Sequence, residues 1–308
     1  MGAKWIMKAV LQKGMSVLPD PQRANYFFQN RVTRSTVLSR SFLDQRIEWA
    51  GLHLDALDRL GKRSEGFDAV ELGSGWYPIV PLCYFLAGAG TVSLVDLEDL
   101  SRPELVTQAV DAVIAAHERG GLGALGTIEV ARVDELRRAR ERIATDGHVA
   151  ALASVGLLIR PTDARTFELD SPPALISSNT VFEHIHPETL EAILVRFGRI
   201  SGPGTVMCHL VDLCDHYAYI DQSVSVYHFL RYSDRVWRLI DNDIQPMNRL
   251  RASEYRDMYR RAGVPITEEE LGTDGPLALV GEPLDARFRS MDPADVAVKV
   301  STLITVFD

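Results

Sequence analysis

Three cysteines in 308 residues, Cys83, Cys208 and Cys214, are too few and too odd in number for a disulfide framework, and none has the CxxC spacing of a metal site. A reducing compartment follows, and a cytoplasmic protein is expected. No run of eighteen or more apolar residues exists, which excludes a transmembrane helix on length. Positive charge is also in deficit: 33 Lys and Arg stand against 42 Asp and Glu, for a net charge of -9 and a pI near 5.4. A polyanion partner requires clustered cations, so no nucleic-acid partner is expected. The one basic stretch, RVDELRRARER from Arg132 to Arg142, interleaves its arginines with Asp134, Glu135 and Glu141 and reads as a solvated helix face. The first nineteen residues lack both a continuous apolar core and a small-residue cleavage site, so they read as an amphipathic helix rather than a secretory signal, with peripheral membrane contact as the lesser alternative. Ile6 stands where a myristoylation signal beginning at Gly2 has Ser or Thr.

What is present suffices for one large α/β domain with an appendage, since 46% of the chain is hydrophobic. Residues 68 to 96 are the best organised stretch. Ala69, Val70 and Leu72 form the short apolar run of a buried parallel strand, and Gly73-Ser74-Gly75 follows at once. Glycines there remove the Cβ atoms that would hold a ligand off the backbone, and the next helix begins with free N–H groups. Val92, Leu94 and Val95 make a second strand, and Asp96 at its carboxyl end is placed to accept hydrogen bonds from ribose hydroxyls. A dinucleotide fingerprint has a third glycine three residues further on, where this chain has Pro78.

Further along, Ser101 and Glu104 read as a capping box for a helix with Leu105, Val106, Ala109, Val110 and Val113 on one face. Residues 121 to 156 hold a second long helical pattern. Strands are expected at Leu157 to Ile159, Ala174 to Ser177 and Thr205 to Leu210, and Pro187 suits the first turn of a helix with Leu190, Ile193, Leu194 and Phe197 buried. Ser253 reads as the cap of a short helix ending at Gly263. Before the first strand, Trp5 to Leu60 is helical in pattern, broken at Leu18-Pro19-Asp20-Pro21, and Tyr26, Phe27 and Phe28 suit either a lid or core packing. Tyr217, Tyr219, Tyr227, His228, Phe229, Tyr232 and Trp237 suit a substrate pocket and a packed core equally.

ELGSG followed by VDL, with Asp163-Ala164 before the fourth strand and VFEHI after it, resembles the motif series of class I S-adenosylmethionine-dependent methyltransferases, over roughly residues 65 to 270. The resemblance implies a doubly wound, Rossmann-like α/β fold with a mostly parallel seven-stranded sheet. It makes residues 1–64 a helical N-terminal cap and 65–308 the methyltransferase domain, with 211–252 as an inserted lid or substrate segment. Val264 to Thr267 and Val296 to Phe307 would be the antiparallel pair that closes the sheet. The implied cofactor is S-adenosyl-L-methionine. Glu71, Gly73, Ser74 and Gly75 fall to its methionine part, Asp96 to ribose, Asp163 to adenine with Ala164 beside the ring, and the segment from Asn179 to Glu183 to the methyl-transfer side, with Leu97 also counted as cofactor-binding. The acceptor expected is a small molecule methylated on oxygen or nitrogen, a specialised metabolite for example. A catalytically silent cofactor-binding protein and an NAD-dependent oxidoreductase remain as alternatives, and a homodimer is left open.

Methyl transfer from a sulfonium is an in-line displacement that positioning alone accelerates strongly, and a hydroxyl or protonated amine also needs a base. His184, His186, His209 and His216 all fall at expected strand ends. His216 is the preferred base, His209 the second and His184 the third, the last having packing under the cofactor loop as its plainer role. Neither Glu183-His184 nor Asp215-His216 is a dyad merely by adjacency. Glu183, His184, Asp212, Asp215 and His216 could ligate a divalent ion, but no HExxH or DxD pattern supports it, and no metal is expected. Arg249 and Arg251 suit either a substrate anion clamp or structural ion pairs.

Overall fold

The computed structural model describes residues 2–15, 38–242 and 245–308. The Leu18–Pro21 turn and the aromatic triplet Tyr26–Phe28 lie outside the described residues. The sheet has seven strands: β1 (Ala69–Leu72), β2 (Val92–Asp96), β3 (Leu157–Pro161), β4 (Leu175–Asn179), β5 (Val206–Asp212), β6 (Glu268–Thr273) and β7 (Val298–Val306). Their order is β3-β2-β1-β4-β5-β7-β6. β1 pairs in parallel with both β2 and β4, and β2 with β3. β7 returns antiparallel to β5, because Leu213 N donates to Lys299 O near one end and Phe307 N donates to Thr205 O at the other. This is the expected α/β, mostly parallel, doubly wound arrangement, and its strand order reverses between β1 and β4.

The chain forms two compact units. The larger comprises Leu38–Asn179, Ala192–His209 and Ile304–Asp308. In it all four residues of β1 are buried, as a strand covered on both faces requires. Helix α2 (Arg40–Arg59) is capped by the Ser39 hydroxyl, which accepts from Phe42 N, and buries Leu43, Ile47, Ala50, Leu54 and Leu57. Those side chains belong to the same core as the wholly buried helix α3 (Ile79–Leu86) and the apolar face of α4 (Pro103–Glu118). A division at residue 64 therefore does not coincide with the packing, since α2 is part of the larger unit's core. Helix α5 (Val130–Asp146) presents Arg137, Arg140 and Arg142 to acidic partners at its surface, in keeping with a solvated face. Helix α6 (His148–Ala153) leads into β3.

The capping-box reading of Ser101 is corrected by the structure. Helix α4 begins with Pro103 at its first position after Arg102, and the Ser101 hydroxyl is engaged by Asp99 and His148 instead.

The smaller unit comprises the described residues up to Met15, Thr180–Glu191 and Leu210–Leu303. Helix α1 (Ala3–Met15) contributes Trp5 and Ala9 to a core with Tyr217, Tyr227, Phe229, Leu230 and Trp237. The aromatic stretch is thus mainly core, with Tyr219 left 56% exposed. Helix α7 (Pro187–Ile200) starts at the expected proline, and α8 (Asp234–Ile240) is capped by Ser233. Helix α9 (Ala252–Ala262) ends at Gly263 in the left-handed conformation, as expected, but Arg251 rather than Ser253 occupies the cap position. Two short helices, α10 (Ala286–Arg289) and α11 (Pro293–Val296), precede β7. The closing pair is β6 and β7, with β6 beginning after the Val264 to Thr267 stretch where the sequence suggested it.

Candidate functional site

In the larger unit, the carboxyl ends of β1, β2 and β4 bring together most of the residues expected to hold a cofactor. Gly73 and Gly75 adopt φ of 78° and 62°, a region that costs an L side chain roughly 1–2 kcal/mol. A Cβ at Gly75 would meet nothing within 4 Å among the described residues, so the turn is open there. Glu71 is 4% exposed; its Oε1 accepts from Asn179 Nδ2 at 3.4 Å, while its Oε2 and Asn179 Oδ1 are buried with no hydrogen-bond partner among the described residues. Burial pushes the Glu71 carboxyl up to about 7, against the easing influence of Ser74, Asn179 and the charge of Arg46. Arg46, on α2, is itself lowered to about 10 by burial, against the attraction of Glu71. Its guanidinium stacks over Trp49 at 3.9 Å and Phe42 at 4.2 Å. Arg46 belongs to no sequence motif, and its approach to Glu71 in space marks it out.

Asp96 ends β2, where burial raises its carboxyl against the stabilising N–H groups of Leu97, Gly75 and Glu98. Leu97 N donates to Asp96 Oδ1 at 2.8 Å, while the Leu97 side chain is 72% exposed. Asp163 follows β3 and is neighboured by the pairing of Thr162 N with Asp96 O at 2.8 Å. Its carboxylate is gripped by Arg165, which holds it below the usual range, and Ala164 beside it is buried. His209 is fully buried, with Nδ1 2.8 Å from Ser178 Oγ and its ring stacked on Phe197; burial lowers it to about 3. A second buried polar chain joins His53 and Ser177 through the Tyr84 hydroxyl.

The raised Glu71 carboxyl has a stability consequence. The folded protein holds this proton up to about pH 7 and the unfolded chain releases it near 4.5, so unfolding releases protons between those values and stability falls as pH rises through that window. The contribution is of the order of 3 kcal/mol. Urea unfolding at pH 5 and pH 8 is expected to show a smaller loss of stability with pH in Glu71→Gln than in the parent.

The smaller unit holds a separate polar cluster. Glu183 and His184 lie in the single 3-10 turn Phe182–His184, and His216 follows β5. His216 Nε2 stands 3.2 Å from Asp212 Oδ2 and 3.9 Å from Glu183 Oε1. Asp215 accepts from Trp5 Nε1 at 2.7 Å and Tyr217 N at 2.9 Å, and burial raises it to about 6. The rings of His184 and His216 meet edge to face at 4.7 Å. Burial and then Asp212 push the Glu183 carboxyl well up, and burial and then His216 lower His184 to about 3. Burial acts to raise Asp212, but His216 and the Tyr219 hydroxyl, which donates at 2.7 Å, outweigh it and leave it lowered. Tyr219 and Asp212 were absent from the expected catalytic group, although the Asp212-to-His216 interval of four was visible.

Arg249 and Arg251 are structural. Arg251 is fully buried and donates to the carbonyls of Leu213, Val296 and Val298, while Arg249 donates to Phe229 O and Tyr232 O and pairs with Asp234.

Among the described residues no helix is long and apolar enough to cross a membrane. No family model matches the chain, and no curated protein matches its sequence. Solved structures do match. A 1,6-didemethyltoxoflavin-N1-methyltransferase from Burkholderia thailandensis, solved with 1,6-didemethyltoxoflavin and S-adenosylhomocysteine, is 12% identical with a TM-score of 0.46, covering 100% of this chain and 92% of its own. An S-adenosylmethionine-dependent methyltransferase from Clostridium acetobutylicum is 8% identical with a TM-score of 0.45, covering 92% and 97%. A protein described as a possible exported protein from Bordetella parapertussis is 15% identical with a TM-score of 0.41, covering 84% and 67%. At such distances the chemistry has to be argued from this chain's own residues.

Proposed function

We propose that the larger unit binds S-adenosyl-L-methionine and that the protein methylates an oxygen or nitrogen of a small molecule. The observation that carries the reading is the buried pair of polar atoms with no hydrogen-bond partner among the described residues, Glu71 Oε2 and Asn179 Oδ1, at the ends of neighbouring parallel strands beside the Gly73–Gly75 turn. A buried acceptor without a donor costs about 1–3 kcal/mol, so such a pair favours a ligand that brings N–H groups. An amino-acid ammonium brings them, and Arg46 adds the cation that the accompanying carboxylate needs. Asp96 supplies acceptors for ribose hydroxyls, with Leu97 beside it, and Asp163 with buried Ala164 offers the adenine contact. A nicotinamide dinucleotide shares the ribose but has no ammonium for Glu71 and Asn179. When bound, the sulfonium supplies a methyl group to a nucleophile.

The acceptor class is tested with S-adenosylmethionine labelled in its methyl group, incubated with the protein and a cell extract. Label is expected in the low-mass fraction. Label confined to nucleic acid or protein contradicts the acceptor class, and cofactor binding with no label anywhere favours a catalytically silent binder.

A further inference from the structure

The polar cluster of the smaller unit has more buried acceptor capacity than its own donors satisfy. Both carboxylate oxygens of Glu183 are buried with no hydrogen-bond partner among the described residues, and the residue is only 4% exposed. His184 Nδ1 lies 2.7 Å from the Pro246 carbonyl. A carbonyl only accepts, so Nδ1 carries the proton and the lone pair of the neutral ring sits on Nε2. His216 Nε2 is also buried, with Asp212 Oδ2 at 3.2 Å. Lys8 is the nearby cation, but its Nζ reaches the His216 backbone carbonyl at 3.5 Å and so answers none of these side-chain atoms.

One ligand atom from each of Glu183, His184 and His216 lies within 4.8 Å of the others. Ligand atoms on a tetrahedral ion with bonds of about 2.1 Å stand roughly 3.4 Å apart, so small side-chain rotations close the group around one ion. We propose that Glu183, His184 and His216 bind a single divalent first-row transition ion. Two imidazoles and one carboxylate suit zinc, iron or cobalt rather than magnesium or calcium, which take oxygen ligands. Asp212 adds a second negative charge beside the group, and the Pro246 carbonyl fixes the His184 tautomer as outer partners of metal-bound histidines do. The histidine nitrogens are then ligands rather than free bases. The ion leaves coordination positions for a water or for an oxygen or nitrogen of a small molecule.

This inference concerns the smaller unit alone and does not rest on the donor reading. The test is zinc titration of chelator-dialysed full-length protein in competition with a chromophoric chelator, together with cobalt titration read by visible d–d absorption. One equivalent of zinc is expected. His184→Ala, His216→Ala and the near-isosteric Glu183→Gln should each weaken binding at least about 10-fold, as loss of a ligand does. His117→Ala, a half-buried residue in the last turn of α4, should leave it unchanged. Far-UV circular dichroism and S-adenosylhomocysteine binding, followed in the same variants, separate an unfolded protein from a lost ligand and a failed donor site from a failed metal site. If the folded parent takes up no stoichiometric zinc or cobalt, or if a folded Glu183→Gln and a folded His216→Ala bind as the parent does, the proposal is overturned.

Discussion

Asp96→Ala is expected to weaken S-adenosylhomocysteine binding by about 100-fold while leaving the far-UV spectrum unchanged. The estimate follows from two hydrogen bonds to a carboxylate at roughly 1.5–3 kcal/mol each, discounted for the water that replaces them. Asp96 stands at the carboxyl end of a central parallel strand, and its position is set by β2 pairing on both sides. Alanine keeps that strand register, so a lost affinity reports the side chain. Asp96→Asn, which keeps the shape and one acceptor, should fall between the two. Calorimetry on the three proteins checks the order; an unchanged affinity in Asp96→Ala would remove the ribose contact from the account.

The second large effect concerns stability. Arg251→Ala should destabilise the protein by about 3–5 kcal/mol, since each buried carbonyl left without its donor costs about 1–3 kcal/mol. Arg251 is fully buried and its guanidinium serves the carbonyls of Leu213, Val296 and Val298, so truncation strands three acceptors in a dry environment and opens a cavity. Arg251→Lys should recover only part of the loss, because a single ammonium cannot reproduce the planar fork. Urea unfolding monitored by Trp5 and Trp237 fluorescence, both in the core of the smaller unit, provides the readout. A variant as stable as the parent would contradict the structural role assigned to this arginine.

The contrast between these two residues marks what a sequence carries. Asp96 was legible because strand, glycine turn, helix and second strand are contiguous, and the periodicities that define them are local. Arg251 was not, because a guanidinium that clamps a ligand and one that staples carbonyls look alike until the carbonyls of residues 213, 296 and 298 are brought to it. The same holds for Arg46, which precedes Glu71 by most of helix α2 and a loop. The cluster at Glu183, His184 and His216 joins two segments separated by helix α7 and strand β5, so no short motif announced it. The misplaced edge strand has another cause: β6 is polar and largely exposed, and it offers no alternation of buried and open positions to read. Helix α2 was assigned to a cap because an amphipathic pattern shows that a face is buried but not against what.

The glycine turn and its carboxylates are proposed to accept an adenosyl amino acid. Calorimetric titration of the full-length protein with S-adenosylhomocysteine and, separately, with NAD tests it most directly. One saturable site for S-adenosylhomocysteine is expected, weakened in Glu71→Gln and Asp96→Ala, with no comparable heat from NAD. Saturable NAD binding with no S-adenosylhomocysteine signal would contradict it.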